Sequence, residues 1–119
     1  MPALQRGDVV LVSVLDPNGQ NRKVRPVVVV SDPTIDPDAI VAVCVSSQRQ
    51  YPCPGHNIPL PYHPNRHQQT GLVRDCVAKC DWRVAVLPSD VIRVIGSVPE
   101  PILTAILFQV RILPGGANL

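Results

Sequence analysis

Arg25 stands immediately before Pro26 and an unbroken run of valines, Val27-Val28-Val29-Val30. Consecutive valines cannot alternate between core and solvent, and β-branched side chains favour the pleated backbone, so the run reads as a strand buried on both faces. Proline fixes its own φ and pushes the residue before it towards extended conformations. The Arg25 guanidinium is therefore held at the mouth of a rigid element, and its planar fork suits phosphate oxygens. Arg22 and Lys23 add positive charge just upstream. Ser46 brings a hydroxyl to the far end of a second apolar run, Ala39-Ile40-Val41-Ala42-Val43-Cys44-Val45-Ser46, and would meet Arg25 if the two strands are antiparallel. Lys79, Asp81 and Trp82 form a third group: a cation, a carboxylate that can move a proton if burial raises its pKa, and an indole that can stack on a base.

Each group has a plainer reading. Arg25 can close a salt bridge to Asp8 or Asp16, and Ser46 can bond the backbone at a strand end. Lys79 and Asp81 can be a solvated pair of little energetic worth, and Trp82 a core or dimer contact. Cys53-Pro54-Gly55-His56 with His63, His67, Cys76 and Cys80 supplies ligand types that zinc accepts. Structural zinc sites pair short turn-borne motifs, however, and Cys76 and Cys80 fall on an expected strand, so no metal site is assigned.

The elements around these residues follow from pattern. Val9–Leu15 reads as the first strand, and Asp16-Pro17-Asn18-Gly19 as a turn leading to the valine strand in an antiparallel hairpin with a basic loop. Asp32–Asp38 is a polar connection to the third strand. Gln50–Gln69 holds five prolines and all three histidines, which predicts a long surface loop with at most a short edge strand such as Asn57-Ile58-Pro59-Leu60. Thr70–Arg74 and Cys76–Trp82 read as one strand or two short ones, and Arg83–Leu87 and Val91–Gly96 as further short strands. Ser97-Val98-Pro99-Glu100 has the spacing of a capping box. The helix it announces has an apolar face of Ile102, Ala105, Ile106, Val110 and Leu113, and Pro114-Gly115-Gly116 stops it.

The 119 residues make one domain, 1–119, and a hydrophobic share of 45 % supports a real core. Charged residues are only 17 %, against about 25 % in ordinary domains. With net charge +2, affinity for nucleic acid has to come from a local cluster, and nine arginines against two lysines favour phosphate as its target. No signal segment and no apolar run of about 20 residues is present, so a cytoplasmic protein with reduced thiols and no membrane contact is expected.

Taken in order, several blocks resemble the MazF/PemK family of toxins from toxin-antitoxin systems. They are Arg6-Gly7-Asp8-Val9-Val10, Arg25-Pro26-Val27-Val28-Val29-Val30-Ser31, Val43-Cys44-Val45-Ser46-Ser47, Thr70-Gly71-Leu72-Val73-Arg74-Asp75-Cys76-Val77-Ala78-Lys79-Cys80-Asp81 and Ile95-Gly96-Ser97-Val98. The resemblance implies a mainly β fold with a C-terminal helix, a small SH3-like antiparallel β-barrel, usually a homodimer. It also implies a metal-independent endoribonuclease acting on single-stranded RNA, without cofactor, and a cognate antitoxin as partner. Carried over by residue, Arg25 and Ser46 would be catalytic, and Lys79 and Asp81 match a basic and an acidic position used in catalysis or RNA contact. Asp81 is placed with the catalytic set and Lys79 with the RNA-binding set, which Arg22, Lys23 and Trp82 join on their own chemistry, together with Gln48. The chain departs from the family pattern at Cys76, at Trp82 and in the proline-rich segment. The alternatives are a non-catalytic toxin of the same fold that poisons a protein such as DNA gyrase, or an inactive binding module. The first is disfavoured because such relatives end in Trp-Gly-Ile, whereas this chain ends Gly115-Gly116-Ala117-Asn118-Leu119.

Overall fold

The computed structural model describes residues 4–15, 18–47 and 55–113. Among these residues six strands form one antiparallel sheet: β1 (Asp8–Val14), β2 (Lys23–Val29), β3 (Ile40–Ser46), β4 (Asn57–Pro59), β5 (Val77–Val86) and β6 (Val91–Ser97). Their order across the sheet is β4-β5-β3-β2-β1-β6, and helix α1 (Glu100–Ile112) follows. The sheet is barrel-like without a ladder joining β4 to β6.

The valine run behaves as its sequence demands. Val27, Val28, Val29 and Val30 are all fully buried. Val28 and Val30 join a core with Val43, Ala78, Cys80 and the helix residues Ile106 and Val110, whereas Val27 and Val29 join a second core with Val12, Cys44, Val86 and Trp82. The sheet is thus covered on both faces, and β2 and β3 are its rigid centre.

Four expectations need correction or limits. Thr70–Arg74 is a loop, because the Thr70 hydroxyl donates to the Pro61 carbonyl and accepts the Leu72 N–H, and Gly71 takes φ +75° against the backbone of Ile95. Cys76–Trp82 and Arg83–Leu87 do not form separate strands; Val77–Val86 is one strand, with Cys76 just ahead of it. The capping box does not form. Ser97 ends β6, and α1 has Pro99 as N-cap with no side-chain cap. Capping at Ser97 would put Pro101 where its missing N–H is needed; with Pro99 as cap, Pro101 falls in the first turn, where N–H groups have no partner in the helix. The first helical bond is then Leu103 N–H to Pro99 O, 2.9 Å. The turn residues Asp16 and Pro17 and the helix stop at Pro114-Gly115-Gly116 lie outside the described residues. The edge strand at Asn57–Pro59 and the antiparallel β1–β2 hairpin are as expected.

Candidate functional site

β2 and β3 pair antiparallel, with Val27 opposite Cys44. The pairing runs from Val29 to Val27, and Arg25 and Ser46 each lie two residues beyond its last pair, at the same end of the two strands. Ser46 is buried and closes β3 opposite Val77 of β5. Arg25 is half-buried. Its guanidinium lies 5.1 Å from the centre of the Trp82 ring, and its Nε is buried without a hydrogen-bond partner. Among the described residues no carboxylate is in salt-bridge reach of it. A guanidinium held by an aromatic face keeps both its charge and its N–H donors for an incoming anion.

Trp82 reaches Arg25 because β5 is bulged. Cys44 pairs with Lys79, yet its neighbour Val43 pairs with Arg83, so Cys80, Asp81 and Trp82 have no opposite number on β3. In a regular strand Lys79 and Trp82 would point to opposite faces. The bulge resets the alternation, putting both on the face of Arg25 and leaving Asp81 at the protein surface. Nothing in the sequence signals this reset.

Two hollows flank this line. A groove of about 710 Å³ is lined by Ser13, Arg22, Lys79, Asp81, Trp82 and Arg83, among others. Arg22 is anchored there by donating to the Ser13 carbonyl, 3.0 Å. A cleft of about 410 Å³ is lined by Lys23, Arg25, Ser47 and Arg74, among others, with no carboxylate among the described residues of its wall. Arg25 and Lys23 are shared with the expected set; Ser47, Arg74 and Arg83 were not singled out, since only the tertiary fold brings them in. Asp81 pairs with His56, whose Nε2 is 3.5 Å from Oδ2, and the His56 carbonyl accepts the Cys80 N–H. Gln48 lies outside the described residues. Beneath the site, burial pushes the Cys44 thiol up to about 11, opposed in part by Arg25. That thiol is a packing group and not a nucleophile.

Among the described residues no group of three or more His, Cys, Asp or Glu side chains is placed to hold a metal ion.

The family model described as PemK-like, MazF-like toxin of type II toxin-antitoxin system matches residues 5–113. The chain belongs to that family. Solved structures of MazF proteins share its fold. The MazE-MazF complex (Form-II) from Deinococcus radiodurans superposes with TM-score 0.68 at 17 % identity, covering 97 % of this chain and 98 % of that one. An endoribonuclease in complex with its cognate antitoxin from a mycobacterial species gives 0.67 at 17 % identity, with 92 % of each chain covered. The Mycobacterium tuberculosis toxin MazF-mt6 gives 0.63 at 17 % identity, over 87 % of this chain and 92 % of that chain. No curated protein matches this PemK/MazF-like chain. No helix among its described residues is long and apolar enough to cross a membrane.

Proposed function

We propose that this PemK/MazF-like chain is the toxin of a toxin-antitoxin pair and a metal-independent, sequence-specific endoribonuclease acting on single-stranded RNA in the cytoplasm. The observation that carries the reading is Arg25: a fixed cation over the ring of Trp82, facing no carboxylate among the described residues, at the end of β2 beside which Ser46 closes β3.

Cleavage by internal transfer needs an aligned phosphate, neutralised charge and a moving proton. The ribose 2'-oxygen attacks the adjacent phosphorus while its proton passes to Asp81, which acts from the groove wall as an exposed carboxylate and not as the buried one that the sequence suggested. The bond from phosphorus to the 5'-oxygen breaks, and that oxygen leaves with a proton drawn from water. The products are a 2',3'-cyclic phosphate and a 5'-hydroxyl. Arg25 stabilises the charge on the non-bridging oxygens as it develops, and Ser46 donates a hydrogen bond to one of them. Arg22, Lys23, Gln48 and Lys79 hold neighbouring phosphates, which positions the strand without reading its sequence. Trp82 holds Arg25 and offers groove wall to a base.

One mycobacterial neighbour is an endoribonuclease in complex with its cognate antitoxin, and the Deinococcus neighbour is MazE-MazF. A cognate antitoxin segment covering the groove of Arg22, Lys79 and Trp82 is the corresponding proposal here, as is a homodimer.

The test is incubation of the protein with defined single-stranded RNAs in excess chelator, with Arg25→Ala alongside. Discrete cuts with cyclic-phosphate and 5'-hydroxyl ends, absent from the variant, are expected. Failure to cut across diverse RNAs would refute the nuclease.

A further inference from the structure

The proline- and histidine-rich segment between β4 and β5 is not loose coil. Leu60 N–H bonds Cys76 O, His63 and His67 N–H both bond Leu72 O, Gly71 N–H bonds His67 O, and Ser97 N–H of β6 bonds Gln69 O, all at 2.8–3.1 Å. Gly71 and Gly96 make the junction with β6 possible, since a Cβ on either would overlap backbone of the other segment. The loop is thereby fixed to the sheet at both ends.

Its outer surface forms a cup of about 660 Å³ lined, among the described residues, by His63, Asn65, Arg66, His67, Gln68 and Gln69. The Nδ1 of His63 accepts the Asn65 N–H at 3.0 Å, and that of His67 accepts the N–H groups of Gln69 and Thr70 at 3.2 Å. With Nδ1 occupied as an acceptor, each neutral ring carries its hydrogen on Nε2, a donor. Arg66 occupies left-handed backbone, φ 77°, and one guanidinium N–H reaches the Ile95 carbonyl at 3.4 Å. A non-glycine residue in that region is held by its surroundings, here by its own N–H bonding His63 O at 2.8 Å.

We propose that this cup is a second nucleotide subsite, which takes an unpaired base and its phosphate from the same single strand that Arg25 cuts. The proposal rests on the ribonuclease reading. Three amides offer paired donors and acceptors of the kind base edges present, the imidazole and guanidinium hydrogens suit a phosphate oxygen, and among the described residues no carboxylate in the wall repels one. An acidic peptide would be served better by several formal cations, and among the described residues Arg66 is the cup's one such group. The cup lies close to the cutting site as well. Gln69 in its wall is five residues from Arg74 in the Arg25 cleft, at most about 18 Å of extended chain. A strand bound at both places spans a few nucleotides.

The test uses short single-stranded RNAs with 2'-O-methyl riboses, which bind but lack the attacking hydroxyl, followed by fluorescence anisotropy. Arg66→Asn keeps a residue that tolerates left-handed backbone and removes the charge, and Gln68→Ala is a surface change that spares the fold. Each is expected to raise Kd by about tenfold, the size of one charge-assisted or base-edge contact. On cleavable RNA each raises KM with kcat unchanged and weakens preference for one base flanking the cut. Unchanged Kd in both variants, or weakened binding of an acidic antitoxin peptide with RNA binding intact, would overturn the subsite. If wild-type protein cuts no RNA but these variants still lose RNA binding, the nuclease reading fails and the subsite stands.

Discussion

The Arg25 guanidinium rests 5.1 Å from the centre of the Trp82 ring, and among the described residues no carboxylate competes with that contact. Stacking orients the cation without neutralising it. Arg25→Ala is therefore expected to lower kcat by about 10²–10³-fold, the usual cost of removing a group that stabilises charge in a transition state. Arg25→Lys should recover little, because an ammonium neither stacks as a plane nor donates as a fork. Trp82→Phe should retain most activity and Trp82→Ala should not. Cleavage rates paired with urea unfolding midpoints check this, since loss of activity with an unchanged midpoint isolates the chemistry.

Ser97→Ala should change stability by less than about 0.5 kcal/mol. Were Ser97 a true N-cap, its removal would cost about 1 kcal/mol. The helix instead starts beyond Pro99, with no side-chain cap to lose. Equilibrium urea unfolding of the variant decides between the two values.

Gly71→Ala and Gly96→Ala should each destabilise the fold by about 2–3 kcal/mol, because a methyl group at either meets backbone and not a flexible side chain. Gly55→Ala is the control: nothing lies within 4 Å of its added Cβ, and a change within about 0.5 kcal/mol is expected. Thermal melts of the three variants provide the comparison.

Stability should fall in alkali through two buried thiols. Burial raises Cys44 to about 11 despite the nearby Arg25, and raises Cys80 to about 12, where the Asp81 charge adds to burial. Both values exceed the ordinary 9.0, so the folded chain holds these protons more tightly than the unfolded one. The corresponding stability is complete below about pH 9 and is lost as the pH climbs through 11 and 12. Urea midpoints at about pH 8 and pH 10 should differ in the wild type and converge in a Cys44→Ala, Cys80→Ala variant. At about pH 8 both thiols should also resist alkylation until the chain is unfolded, as read by mass spectrometry.

The legible parts of this molecule were those set by local chemistry. Four adjacent valines permit only a doubly buried strand, and the apolar runs that carry Arg25 and Ser46 at their ends pair antiparallel as β2 and β3. What pattern could not supply came from contacts distant in sequence. Thr70–Arg74 alternates like a strand, but the Thr70 hydroxyl and the left-handed Gly71 bind it into a loop. Ser97 has a capping spacing that Pro101 overrides. The pairing of His56 with Asp81 needed β4 to dock beside β5, which neither residue announces.

The bulge in β5 acts as a phase shift in the alternation of side chains. Upstream of it the odd-numbered Lys79 shares a face with Cys44; downstream the even-numbered Trp82, Val84 and Val86 take over that face. Removing one residue from Cys80–Trp82 would leave an even spacer and turn the whole distal half of the strand over, sending Val84 and Val86 outward and Arg83 and Ala85 towards the core. The distance along the chain between Lys79 and Val84 is therefore as much a determinant of this site as the identity of any side chain within it. Single substitutions can tune the strand, but a single deletion inverts it.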